Sequence, residues 1–386
     1  MNESTFAPGG GRAETAARGQ GPAGLEAVGS VAVRTFANHQ HMTTPRKSMD
    51  GLDVNSRAGD LSGEKPTGFA DYDKVPEGHF YDPDAEYEPD PEYAATLAPD
   101  AARQRRERIG PTGRPLPYFP IPGPLTDHGP ATIIAMCNQK GGVGKTTSTI
   151  NLGAALAEYG RRVLLVDFDP QGALSVGLGV NPMELDLTVY NLLMERGMSA
   201  DEVLLKTAVP NMDLLPSNID LSAAEVQLVS EVARESTLQR ALKPLLADYD
   251  YIVIDCQPSL GLLTVNALTA AHKVIVPLEC EFFALRGVAL LTETIEKVQE
   301  RLNPELELDG ILATMYDSRT VHSREVLARV VEAFDDHVYH TVIGRTVRFP
   351  ETTVAGEPIT TYASNSVGAA AYRQLAREVL ARCPAE

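Results

Sequence analysis

The residues best suited to chemistry are two lysines and a threonine at the end of a glycine-rich run, Cys137-Asn138-Gln139-Lys140-Gly141-Gly142-Val143-Gly144-Lys145-Thr146-Thr147. Glycines let a backbone bend so tightly that successive N–H groups converge on phosphate oxygens. Lys145 adds a point charge for the β/γ-phosphates, and the Thr146 hydroxyl is placed to ligate Mg²⁺. Lys140, Gly141, Gly142, Val143, Gly144, Lys145, Thr146 and Thr147 are therefore the expected nucleotide-binding residues. Two apolar runs elsewhere end in acids: Val163-Leu164-Leu165-Val166-Asp167-Phe168-Asp169 and Tyr251-Ile252-Val253-Ile254-Asp255. A carboxylate at the end of a strand can hold Mg²⁺ through water or orient an attacking water. Such acids are also ordinary solvated strand caps, but a phosphate loop in the same chain favours the functional reading. Thr146, Asp167 and Asp255 are the expected metal set. Lys145, Asp169 and Asp255 are the expected catalytic residues.

The surrounding pattern supplies elements to position these groups. Ile133–Met136 reads as a buried strand before the loop, and a helix begins at Lys145, so its positive dipole end faces the phosphates. Further apolar runs, Val163–Val166, Tyr251–Ile254, Val274–Val276 and Ile311–Met315, alternate with amphipathic stretches. Leu285, Val288, Leu291, Ile295, Val298 and Leu302 recur at helical spacing, as do Leu221, Ala224, Leu228 and Val232, and Val326, Val330 and Phe334. Ser366–Arg382 reads as a final helix. Strands apolar throughout, each followed by a helix, predict an α/β P-loop NTPase fold: a mostly parallel twisted sheet covered by helices on both faces, over residues 131–386.

Residues 1–130 differ from the remainder. A Gly/Ala/Ser-rich start gives way to an acidic Tyr- and Pro-bearing run, Phe80 to Asp90, then to Arg103, Arg105, Arg106 and Arg108, then to the Pro-rich connector Pro115–Pro122. Apart from a short helix expected around 101–108, this reads as a disordered tail and linker; Met42 and Met49 are alternative starts. The net charge of −18 argues against a protein that coats nucleic acid, so any DNA contact must come from a local basic patch or from arginines gathered by a dimer. The four cysteines, Cys137, Cys256, Cys280 and Cys383, are not at metal-ligand spacing and suit a reduced cytosol. There is no bilayer-length apolar run and no secretory signal.

One departure narrows the reading. The general pattern Gly-x-x-x-x-Gly-Lys-Ser/Thr would place its first glycine at Gln139; this chain has Lys140 beside the glycine pair instead. Lys-Gly-Gly-x-Gly-Lys-Thr-Thr is the deviant Walker A loop, and the chain resembles the family that holds the ParA/Soj chromosome-partitioning ATPases, the septum-site protein MinD and the nitrogenase iron protein. The resemblance covers about Thr132 to Arg382. It continues through Asp255-Cys256-Gln257-Pro258-Ser259, Ser259–Leu268, Pro277–Gly287, Thr314–Thr320 and Val342–Glu351, closest to ParA/Soj, and with the long N-terminal tail the chain looks actinobacterial. It implies that Lys140 is a further catalytic residue, reaching a neighbouring subunit's nucleotide, that Asp169 is tied to hydrolysis, and that Arg319, Arg345 and Arg348 bind DNA. It implies a slow, partner-stimulated ATPase using ATP and Mg²⁺: a homodimerising switch on nonspecific DNA, activated by a ParB-like protein, cytoplasmic and nucleoid-associated, that drives chromosome partitioning. Control of replication initiation or chromosome compaction is an alternative use of the same switch. A MinD-type membrane-positioning role would need a bulkier apolar C-terminal helix than Ala369–Arg382, so no stable membrane association is expected, and Cys256 and Cys280 do not sit where the iron protein holds its cluster. The family usually has Pro at Gln257, Asn at Ala173, Ile-Pro-Arg-Asn at Ile343–Thr346 and Ser-Glu-Ala-Pro at Pro350–Thr353.

Overall fold

The computed structural model describes residues 109–281 and 284–383; the expected helix at 101–108 and the tail before it lie outside them. Within the described residues a seven-stranded sheet is formed by β1 (Thr132–Met136), β2 (Val163–Phe168), β3 (Leu205–Lys206), β4 (Met212–Leu215), β5 (Tyr251–Cys256), β6 (Lys273–Glu279) and β7 (Glu307–Thr314). The order is β3-β4-β2-β5-β1-β6-β7, and every neighbouring pair is parallel except β3 with β4. The helices are α1 (Lys145–Glu158), α2 (Ala173–Gly177), α3 (Val189–Met194), α4 (Ala200–Val203), α5 (Leu221–Gln227), α6 (Thr237–Leu242), α7 (Leu262–Ala270), α8 (Ala284–Arg301), α9 (Val321–Phe334), α10 (Arg348–Ala355), α11 (Ile359–Tyr362) and α12 (Val367–Arg382).

The strands are apolar throughout because both faces are covered. Side chains alternate across a strand, so Ile133, Leu164, Val166, Ile252, Ile254 and Val274 enter one core with α5–α9, whereas Ile134, Met136, Leu165, Val253, Ile275 and Leu312 enter the other with α1 and α12. Burying each such side chain contributes about 1.5–3 kcal/mol. α12 spends its apolar side, Ala369, Tyr372, Leu375, Ala376 and Val379, on the second core. Among the described residues no helix is long and apolar enough to cross a membrane.

Three details differ from expectation. The helical pattern over 221–232 breaks after Gln227: Leu228–Ser230 tightens to a 3₁₀ turn, Ala233 takes a left-handed φ of 54°, and Val232 is left 90% exposed. β7 ends at Thr314 because Met315 also turns left-handed, at φ 51°. The last part of the expected linker, 109–130, is held to the domain by side chains. Arg114 donates to the carbonyls of Asp335 and Val338, and Arg161 to that of Gly123. Fully buried Asp250 accepts the backbone N–H groups of Gly129 and Arg162 and pairs with His128 Nδ1.

Candidate nucleotide-binding site

The loop 137–144 leaves the C-terminal end of β1, which has β5 on one side and β6 on the other. Ligands bind at this edge in open α/β sheets. Gly142 and Gly144 have φ of 76° and 85°. A Cβ would meet nothing within 4 Å at Gly142, and only the Thr314 side chain at 3.8 Å at Gly144. The left-handed backbone, costing other residues roughly 1–2 kcal/mol, is therefore what selects glycine at both places. Distant side chains fix the loop. Asn138 Nδ2 donates to the Pro277 carbonyl at 2.7 Å, Asn138 Oδ1 accepts from Lys140 N at 2.9 Å, and Thr314 Oγ1 donates to the Val143 carbonyl at 2.8 Å. The buried Lys145 ammonium is drawn beneath the loop, 3.1 Å from the Lys140 carbonyl.

The acids converge next to it. Thr146 Oγ1 donates to Asp255 Oδ2 at 2.6 Å. Asp167 and Asp255 are register partners on β2 and β5, and both are buried. Burial, and then the neighbouring Asp167 charge, push the Asp255 carboxyl well above its ordinary range. Burial raises Asp167 to about 7, against the opposing pull of Ser175. Asp255 Oδ1 is buried without a hydrogen-bond partner. A hydroxyl and an unpartnered buried carboxylate oxygen are hard donors, and the crowded negative charge favours a divalent cation; this set fits magnesium. Asp167 is engaged differently: Oδ2 accepts from Ser175 N at 2.9 Å and from Ser175 Oγ at 2.7 Å, tying β2 to α2. Asp169 lies one residue past β2, half-buried, and its Oδ1 caps Gln171 N at 3.0 Å.

Lys140 sits on the outside of the loop, its Nζ 3.0 Å from Glu279 Oε2 and 2.7 Å from Glu281 Oε2. Glu279 Oε1 is also 3.4 Å from Arg345. Arg345 is placed by its N–H to the Tyr316 carbonyl and by a bridge between Tyr316 and Gly344, so it lies by the loop that carries Arg319. Arg319 clasps Asp317 at 2.9 and 2.8 Å and lowers that carboxyl to about 2. Arg348 opens α10 and pairs with Glu351 at 2.9 Å. All three arginines are exposed, and each is paired within its own chain.

On the other side of Thr146 and Thr147 a cleft opens between α1 and α10, lined by Ile150, Asn151, Thr352 and Glu357. Sequence reasoning left this wall unassigned. It also gave no role to Asn138, Glu279, Glu281, Ser175 or Thr314, although four of the five lie in or beside the quoted motifs; their partners are too far along the chain for spacing to show.

The family model described as an AAA domain matches residues 131–308. An uncharacterised protein of Mycobacterium tuberculosis is 69% identical over 274 residues, covering 71% of this chain and 86% of its own length. The sporulation initiation inhibitor protein Soj of Bacillus subtilis is 48% identical over 249 residues, covering 64% of this chain and 98% of Soj. Among solved structures, a Mycobacterium smegmatis protein named cobyrinic acid a,c-diamide synthase, with bound ADP and magnesium, is 46% identical and aligns over 65% of this chain and 94% of its own with a TM-score of 0.58. With Soj matched over nearly its whole length, the chain belongs to the ParA/Soj family of P-loop ATPases.

Proposed function

We propose that the chain is an ATP-dependent dimerising switch that binds DNA without sequence preference and hydrolyses ATP to drive chromosome partitioning. The observation that carries this is the division of labour between its two lysines. Lys145 is buried under the loop, where the phosphates would lie, while Lys140 is on the outer side of the same loop, 41% exposed, the position from which it would meet a second subunit. In this reading the N–H groups of 141–146 and Lys145 neutralise the phosphates, and the cleft of Thr352 and Glu357 takes the adenosine end. Thr146 and Asp255 hold magnesium, which supplies charge for the developing phosphate oxygens. Asp169, at the mouth of the site, orients the attacking water. Lys140 leaves its own carboxylates for the partner's nucleotide, and Arg319, Arg345 and Arg348 exchange theirs for DNA phosphates. A ParB-like partner accelerates slow turnover and releases the DNA, which gives a nucleoid-associated cycle.

Light scattering and DNA gel shifts with ATP and with ADP test this. Dimer formation and salt-sensitive DNA retention with ATP alone are the expected results. Equal DNA retention in both nucleotides, or ATP turnover that depends on an acid substrate and a nitrogen donor instead of DNA, overturns it.

A further inference from the structure

The segment after Asp255 runs Gln257-Pro258-Ser259-Leu260-Gly261 into α7. Most of its hydrogen bonds are local: Ser259 N to the Gln257 carbonyl at 2.9 Å, Gly261 N to Ser259 Oγ at 3.4 Å, and Thr264 Oγ1 to the Ser259 carbonyl at 2.7 Å. Another contact reaches beyond α7. Gln257, only 8% exposed, donates from Nε2 to Oε1 of Glu225 in α5 at 3.3 Å. The same oxygen lies over the far end of the segment, where a Cβ at Gly261 would meet it at 1.9 Å. A single carboxylate oxygen therefore lies against both ends of the 257–261 loop, and a side chain at Gly261 would have to displace it.

The two sides of this contact face different tasks. Two residues before Gln257, Asp255 accepts the Thr146 hydroxyl. Directly after Glu225, the outer side of α5 and the turn that follows carries Val226, Val229 and Val232, 75%, 58% and 90% exposed. Proline, the residue usual in the family at this place, has no side-chain donor, so the link depends on the glutamine of this chain.

We propose that Gln257 and Glu225 are a positioning pair that couples the loop after Asp255 to α5, so that a change at the phosphate end of the cleft shifts the valine-bearing face. The inference rests on the nucleotide-switch reading above. Both residues act through the loop. The hydrogen bond is half-shielded and its acceptor is charged, the kind of contact that moves two elements as one.

Hydrogen exchange on the full chain, with Mg-ADP and with the slowly hydrolysed Mg-ATPγS, tests the coupling. In the wild type, exchange over 219–232 differs by about five-fold or more between the two nucleotides. Gln257→Glu sets two carboxylates against each other, and the difference falls below about two-fold, while nucleotide still protects the 137–147 loop, which shows that the variant is folded and loaded. Glu225→Ala, a disruption from the helix side, gives the same loss. The double variant Gln257→Glu/Glu225→Gln reverses donor and acceptor and restores the difference, which a merely structural role would not require. No nucleotide difference at 219–232 in the wild type, its survival in Gln257→Glu, or its failure to return in the double variant overturns the coupling. Light scattering on the same samples keeps the two readings apart. Association with ATP but no response at 219–232 defeats the coupling alone; a response without association supports the coupling and defeats the dimer.

Discussion

The Lys140 ammonium lies 2.7 Å from the Glu281 carboxylate of its own chain. With Glu279 at 3.0 Å, two acids hold the lysine on which the proposed two-subunit nucleotide sandwich depends. The Lys140 side chain is 41% exposed, so solvent screens the attraction, and such pairs are worth about 0.2–1 kcal/mol each. The hold is enough to bias association without preventing it. Glu281→Gln lowers the ATP concentration at half-dimerisation by about two- to five-fold, because one of the intrachain partners no longer competes. Lys140→Ala removes ATP-dependent dimer altogether while leaving a folded monomer. Light scattering against ATP concentration checks both; a dimer fraction unchanged in Lys140→Ala counts against the sandwich.

Asp169 differs from the buried acids: it is half-buried, and its carboxylate accepts from Gln171 N within its own turn. A group that orients water needs this access. Asp169→Ala lowers ATP turnover by about 10²-fold or more and leaves ATP binding and Mg-ATP-dependent dimer intact. Single-turnover hydrolysis beside equilibrium binding separates the two effects. A parallel loss of nucleotide affinity would assign Asp169 to binding instead.

The phosphate loop was readable because its chemistry is local: glycines at 142 and 144, then Lys145 and Thr146, sit in one run after an apolar strand. The central strands were readable for the same reason. Val163–Val166 and Tyr251–Ile254 are continuous apolar segments, and they became β2 and β5. β4 was missed because Asp213 interrupts its apolar pattern, its carboxylate being satisfied by Lys206 and by Tyr249 from elsewhere in the chain. The described part of the linker was missed because Asp250, Arg161 and Arg114 hold it from a distance, and no periodicity within 109–130 records that. Lys140 with Glu279, and Gln257 with Glu225, join residues far apart in sequence, so their identities could be quoted but their pairing could not.

The arginines expected to meet DNA are occupied. Arg319 makes two bonds to Asp317, and Arg345 shares Glu279 with Lys140. If the chain binds DNA as proposed, its phosphates must displace these carboxylates. Asp317→Asn frees Arg319, so DNA retention with ATP extends to higher salt. Arg319→Ala and Arg345→Ala each reduce the slope of log affinity against log salt by about 1. Filter binding over a salt series measures all three. A slope that none of the variants changes would remove these arginines from the DNA surface.

Asp255 carries electrostatic stress, buried beside Asp167 with one oxygen unpartnered. Burial raises its carboxyl in the folded chain, whereas the unfolded chain leaves it ionised at neutral pH. The sign follows: this group opposes folding of the nucleotide-free chain fully above its raised folded pKa, the opposition shrinks as pH falls from the folded toward the unfolded value, and it is gone below the unfolded value. Asp255→Asn keeps an oxygen for the Thr146 hydroxyl and removes the charge. The nucleotide-free variant is thus more stable at pH 7, by about 1 kcal/mol or more, which raises the melting temperature of a domain this size by roughly 2–4 °C. Magnesium reverses the comparison. In the wild type Mg-ATP adds stability by mass action, and chelation with EDTA removes most of that gain; in Asp255→Asn the gain is small with or without EDTA. Thermal melts of both proteins, free, with ATP and EDTA, and with Mg-ATP, show whether Asp255 is held ready for a cation. A variant that melts lower without nucleotide and keeps the full Mg-ATP shift would make Asp255 a structural acid instead of a metal-handling one.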